Sequence, residues 1–135
     1  MKYDYWGLLK HLKHPLKSVY VLHGDETLLQ QEALIALRHA ANKQGFSERE
    51  RHDIDRGHDW AMAFADSNAL SVFSYKKLIE IHGNKPDAAG GKVLEAYLKN
   101  PPEDNVVILV IPKLEAAAFK SKWFSACEDN GVTVS

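Results

Sequence analysis

The sequence predicts an α/β fold, a parallel five-stranded sheet with helices on both faces. Three observations carry that expectation. Five short β-type runs occur along the 135 residues, each separated from the next by a stretch of helical period, and strands alternating with helices form parallel sheets. The run VVILVI at 106–111 is apolar throughout, the profile of a strand buried on both faces. Composition is that of a soluble globular chain, 45% hydrophobic and 26% charged, and the length is that of one domain with a proper core.

The elements follow in order. Residues 1–17, MKYDYWGLLKHLKHPLK, stand outside the alternation and read as a helix packed on the sheet edge. The first strand is VYVL at 19–22, which runs into His23-Gly24-Asp25. From 27 to 44, Leu29, Ala33, Ala36, Leu37 and Ala40 form a stripe of helical period. Thr27 and Gln30 have the spacing of a capping box, and Gly45 is placed to stop the helix. A polar run at 51–55 predicts a strand near a sheet edge. Trp60, Ala63 and Phe64 predict a short helix with one buried face. KLIEIH at 77–82 is the third strand, closed by Gly83. Val93, Leu94, Tyr97 and Leu98 repeat at helical spacing until Asn100-Pro101-Pro102 breaks the chain, and 106–111 is the fourth strand. Phe119, Trp123, Phe124 and Cys127 form the last helical stripe, which Gly131 ends. Val132-Thr133-Val134 opens a fifth strand, and the break at Ser135 reads as a cut from a longer protein.

Charge and special residues exclude several classes. Seventeen Lys and Arg against 18 Asp and Glu give a net charge of −1, without the basic excess of a protein built to grip phosphate backbones. Little direct nucleic-acid binding is expected. The six-residue run at 106–111 is too short to cross a bilayer, and the charged N-terminus lacks the apolar stretch of a secretory signal. Cys127 is the only cysteine, which leaves no internal disulfide and fits a reducing cytoplasm; its place on an apolar stripe predicts a buried, inert thiol. Of seven histidines only His11 and His14 have helical spacing, with no carboxylate or cysteine to complete a metal set.

A strand, a glycine and a long helix make the position of a phosphate-binding loop. Such a loop needs G-x-x-x-x-G-K-[ST], because backbone N–H groups and a lysine cradle the phosphates. Here the turn reads HGDETLLQQ, so Leu29, Gln30 and Gln31 stand where Gly, Lys and Ser or Thr belong. Asp25 and Glu26 suit a helix start but repel an incoming phosphate. The most buried strand runs into Pro112-Lys113, without the carboxylate that holds Mg²⁺. The layout is that of a P-loop ATPase whose nucleotide chemistry is absent, so no cofactor and no intrinsic enzymatic activity are expected. Two alternatives stay open on the residues alone. A receiver-like regulatory domain would use Asp25, Glu26 and Lys113, but its third strand ends in Ile81-His82-Gly83 rather than a phosphoacceptor Asp. A degenerate domain of this layout could also keep some nucleotide affinity, or serve purely as a scaffold.

Ahead of the third strand, Leu70, Val72 and Phe73 place three apolar side chains within four positions, spaced by Ser71. By themselves they read first as core residues where a helix turns into a strand. The succession VYVLHGDETLLQQEALIALRHAA, HDIDRGHDW, ALSVFSYKKLIEI and NVVILVIPKLE with KSKWF, over about residues 18–135, resembles the first domain of the bacterial DNA polymerase III delta subunit. That resemblance implies an AAA+ fold without a working nucleotide site. It also implies a part in the clamp loader of DNA replication, with the lid and collar domains of the family lying outside residues 1–135. The implied partners are the sliding clamp (the beta subunit) and the other clamp-loader subunits. By resemblance Phe73 is the aromatic anchor in the clamp, Val72 stands where leucine is usual, Leu70 is the preceding apolar contact and Ser71 the spacer. Ala69 stands where many clamp-binding peptides carry glutamine.

Overall fold

The computed structural model describes residues 1–54, 60, 64 and 76–135. Its strands are β1 (Lys2–Tyr3), β2 (Val19–Leu22), β3 (Glu48–Ile54), β4 (Lys77–Gly83), β5 (Asn105–Val110) and β6 (Gly131–Val134). Its helices are α1 (Tyr5–His11), α2 (Thr27–Lys43), α3 (Ala88–Lys99) and α4 (Lys122–Asn130), with a 3₁₀ turn at Ala118–Lys120 before α4. All strand pairs are parallel, in the order β1-β6-β2-β5-β4-β3.

The sheet therefore has six strands rather than the expected five. The addition is β1, which pairs Lys2 with Thr133 and Tyr3 with Val134 along the free edge of β6. Two residues are too few to show alternation, so the sequence carries no strand signal there. The N-terminal ammonium fixes the same edge, donating to the carbonyls of Glu128 at 2.7 Å and Gly131 at 2.9 Å. The expected helix of residues 1–17 is present as α1, shorter than that segment and capped by Asp4, whose side chain accepts the Gly7 N–H at 2.7 Å.

Strand alternation divides the core in two. Tyr20, Leu22, Leu78, Val106, Ile108, Val132 and Val134 point to α1 and α2, meeting Leu8, Ala33, Leu37 and Ala41. Val19, Val21, Ile79, Ile81, Val107 and Leu109 point the other way, to Leu94 and Leu98 of α3, Phe124 and Cys127 of α4, and Trp60 and Phe64. β5 lies between β2 and β4, with Val19 opposite Val107 and Ile79 opposite Val107 on its other side. Its five residues from Asn105 to Leu109 are buried, as a two-faced apolar run requires. Each fully buried aliphatic or aromatic side chain contributes roughly 1.5–3 kcal/mol before chain entropy is subtracted.

Helix ends follow the local chemistry. After α2 the backbone turns at Gly45 with φ +95°, while Phe46 N–H donates to Ala41 O at 2.9 Å and Gly45 N–H to Asn42 O at 3.2 Å. That pattern is a Schellman motif, as the glycine suggests. The capping box at Thr27 and Gln30 is not formed. Glu26 is the N-cap without a side-chain cap bond, Thr27 lies inside the helix, and Gln30 is engaged elsewhere. Gly131 does end α4, but for a different reason: it is the first residue of β6, and a Cβ there would lie 1.9 Å from Val19 O. Trp60 and Phe64 have helical backbone and are buried, stacked at 6.2 Å; Ala63 lies outside the described residues.

Candidate functional site

The loop after β2 stands where a nucleotide phosphate would bind, at the C-terminal ends of β2, β5 and β6. Gly24 has φ +127°, a backbone state that favours glycine, and it lets the chain leave the strand and enter α2 within a few residues. Beside it lies a cavity of about 300 Å³ whose walls include Tyr5, Leu22, Leu29, Leu114, Phe119 and Val134. Its lining is thus mostly apolar, and among the described residues the only Lys or Arg on it is Lys113. The Lys113 ammonium sits 4.0 Å from the Asp25 carboxylate, with both side chains three-quarters exposed, so the pair adds little stability.

Gln30 occupies the position that a phosphate-binding lysine would take. Its Nε2 donates to Leu22 O at 3.1 Å and to Ile111 O at 2.9 Å, tying the C-terminal ends of β2 and β5 together. That amide therefore makes structural bonds toward the sheet and presents no positive charge to the cavity. β5 ends at Val110, and Ile111 N–H donates back to Leu22 O at 2.9 Å, so no carboxylate stands at the strand tip. His23 completes the floor, edge-on to Phe119 at 5.6 Å and to Phe124 at 5.7 Å. Burial lowers its imidazole pKa and keeps it neutral.

A second polar group lies on β4. Glu80 is fully buried at the edge of the α2 face and accepts two hydrogen bonds from Arg38, from Nε at 2.7 Å and Nη2 at 2.8 Å. His82 Nε2 donates to the same carboxylate at 2.9 Å, and Arg49 Nε approaches it to 3.9 Å. Burial alone would raise the carboxyl, but the bonds from Arg38 and His82 outweigh it and hold Glu80 below its ordinary value. The alternation of KLIEIH hides this group, because Glu80 and His82 stand where alternation predicts an exposed polar face, whereas Glu80 is buried and His82 half-buried.

The expected clamp-binding residues Leu70, Ser71, Val72 and Phe73 lie outside the described residues, as does Ala69. Cys127 is buried, and burial, with Glu128 adding to it, pushes its thiol up to about 12, which suits a core residue and not a nucleophile. Among the described residues no three His, Cys, Asp or Glu converge as a metal set, and no helix is long and apolar enough to cross a membrane.

A parallel α/β sheet with a strand–glycine–helix turn at its phosphate end, and glutamine in place of lysine, is a P-loop ATPase-like architecture with altered loop chemistry. The chain belongs to the DNA polymerase III delta subunit family, whose family model, "DNA polymerase III, delta subunit", matches residues 20–135. It is 32% identical over 129 residues to DNA polymerase III subunit delta of Escherichia coli K12, covering 94% of this chain and 38% of that protein. It is 30% identical over 117 residues to the Haemophilus influenzae subunit delta, covering 84% of this chain and 33% of that protein. The chain thus spans about a third of the length of each relative. Among solved structures, the Bacillus subtilis DNA clamp loader delta protein superposes with a TM-score of 0.72 at 19% identity, over 96% of this chain and 41% of that one. A DNA polymerase III gamma subunit-related protein of Thermotoga maritima superposes with a TM-score of 0.59 at 12% identity, over 98% of this chain and 46% of that one. These two likenesses concern the fold.

Proposed function

We propose that this chain is the sliding-clamp-gripping domain of a clamp-loader delta subunit and that it does not hydrolyse ATP. The observation that carries the reading is family membership across residues 20–135, and the phosphate end of the sheet is consistent with it. A lysine is replaced there by Gln30, whose amide is bonded to two strand-end carbonyls. Phosphates would meet Asp25, Glu26 and apolar walls instead of a cationic cradle. The family match also favours this reading over a receiver-like phosphoacceptor domain.

Clamp contact is assigned to Leu70, Ser71, Val72 and Phe73. Short apolar segments with an aromatic anchor bind preformed pockets as small hot spots. Burial of Leu70, Val72 and Phe73 would contribute roughly 1.5–3 kcal/mol each before association costs, which suits micromolar affinity from the segment alone. In the cell the domain would act in the cytoplasm, as one part of an assembly whose ATP chemistry belongs to other subunits.

The test is binding to the DNA polymerase III beta clamp by calorimetry, beside Val72→Ala and Phe73→Ala variants with parent-like circular dichroism. Binding by the parent and a loss of roughly tenfold or more in Phe73→Ala are expected. A folded parent that ignores the clamp sinks the proposal, and variants that bind as well as the parent remove the segment from it. Titration with ATP and Mg²⁺ should give no heat of binding; a clear isotherm would instead make this a degenerate nucleotide-binding domain.

A further inference from the structure

We infer that the groove between α1 and α2 is a docking surface for an acidic amphipathic helix of a partner protein. The groove has a volume of about 530 Å³. Its floor is apolar, formed by Leu9 and Leu12 on the α1 side and by Ala36 and Ala40 of α2. The two alanines are one turn apart on α2, and side chains that stop at Cβ let a third helix approach closely. Lys13 and Lys43 stand on the rim with His39 and Gln44, and among the described residues no carboxylate lines the groove.

Positive charge extends beyond the rim. Residues 9–18 and 33–46 contain Lys10, Lys13, Lys17, Arg38 and Lys43 and no Asp or Glu. Arg38 is committed to Glu80. Among the described residues none of the four lysines lies within ion-pair distance of a carboxylate. The chain total of −1 conceals this local excess. Trp6 stands one turn before Leu9 on α1, 66% exposed and resting edge-on against Tyr5 at 5.1 Å. An exposed tryptophan beside an apolar groove is the residue type that dominates binding energy at protein interfaces.

The apolar floor decides between two anionic partners. A phosphate backbone laid here would desolvate against Leu9, Leu12, Ala36 and Ala40 and gain only the lysines. A helix with one apolar face and acidic flanks satisfies both parts, its aliphatic stripe on the floor and its carboxylates on Lys13 and Lys43.

The test measures fluorescence anisotropy of labelled synthetic helices of about 20 residues, with leucine at i, i+3, i+4 and i+7. One carries glutamate on its flanks, a second lysine at the same positions, and a third is a scrambled acidic control. A twenty-base oligothymidine is the nucleic-acid arm. The acidic helix should bind, and Lys13→Glu/Lys43→Glu should weaken it roughly tenfold or more while gaining affinity for the lysine-flanked helix. Trp6→Ala should weaken the acidic helix as well. If the charge reversal disturbs folding, Lys13→Gln/Lys43→Gln serves, with a smaller loss expected. Equal binding of the scrambled peptide, indifference to these variants, or no binding by the folded parent overturns the proposal. Tighter, lysine-dependent binding of the oligonucleotide also overturns it and makes the patch a nucleic-acid surface.

Discussion

At the scale of single residues, two buried polar groups respond to substitution and to acid in different ways. Glu80 has no access to water and is held by Arg38, which is itself only 30% exposed. Truncating Arg38 leaves a buried carboxylate with His82 as its main partner, and breaking a buried pair from one side costs about 3–5 kcal/mol. Arg38→Ala should therefore lower the urea midpoint sharply, by an amount near the lower end of that range because solvent reaches the vacated side. Glu80→Gln with Arg38 intact should cost less, since the amide stays neutral when buried. Equal losses in the two variants would show that packing, and not the orphaned charge, sets the cost. His11 gives the second case. Its Nε2 lies 2.7 Å from the Tyr20 hydroxyl, which already accepts the Lys17 N–H at 3.0 Å. A neutral His11 can accept the hydroxyl proton at this nitrogen. Burial first, then Lys17, His14 and the N-terminus, lower the His11 pKa from its ordinary 6.5. The unfolded chain thus takes up the proton first as pH falls. The stability held by neutral His11 is complete above pH 6.5 and is lost as the solution is acidified toward the folded value; His23 adds the same sign. Urea unfolding at pH 7.5 and 5.5 should show a lower midpoint at 5.5, and His11→Asn should shrink the difference. An unchanged midpoint would show that neither imidazole is tied to the fold.

At the scale of elements, a glycine holds β6 against β2. Gly131 stands opposite Val19, and a Cβ on it would lie 1.9 Å from Val19 O and 2.7 Å from Val19 Cγ1. Neither atom belongs to a flexible side-chain end, so the strands must part. Gly131→Ala should cost at least the roughly 1–3 kcal/mol of an overpacked core, read as a lower melting temperature with reduced helical circular dichroism near the transition. A variant as stable as the parent would mean that β6 can shift outward toward β1. The same glycine shows what the sequence disclosed and what it hid. Its place as the end of α4 was legible from the stripe Trp123, Phe124 and Cys127, whereas its role against β2 depends on a strand more than a hundred positions away. The alternation of strand and helix, the buried β5 and the edge position of β3 were legible because their periods are local. β3 nevertheless begins at Glu48, ahead of the expected polar run, because pairing with β4 organises residues that have no apolar pattern of their own. The loop chemistry at Gly24 was readable residue by residue. The turning of Gln30 toward Leu22 and Ile111 was not, since local spacing suggested a cap while a contact across 81 positions prevailed. The cationic groove was invisible for a similar reason: α1 and α2 bring together lysines that are scattered along the chain.

For the whole molecule, the sheet order sets where the structure opens last. β5 and β2 are interior strands flanked on both sides, β4 is paired with β5 and β3, and both core clusters meet across β2, β4 and β5. Breaking any backbone hydrogen bond there exposes apolar surface on two faces at once. Among the described residues β3 has one partner strand, β4, and it leaves Glu48, Arg49, Arg51 and Asp53 exposed. α1 is seven residues long and buries Leu8 and His11 alone, and β1 contributes two residues. Local opening free energies in a single domain range from near zero at such margins to the full unfolding free energy in the centre. Native-state hydrogen exchange should therefore rank the amides of Val21, Leu22, Ile79, Val107 and Leu109 slowest, with rates that track global stability as denaturant is added. Amides of α1 and of Arg49 and Arg51 should exchange faster, with little denaturant dependence. Were α1 to exchange with the global unit, the wall it gives the cationic groove would be as firm as the sheet. Independent opening of α1 would instead make Trp6 and Leu9 the part of the surface that tightens when the groove is filled, and slower exchange of α1 on addition of the acidic helix would then report docking directly.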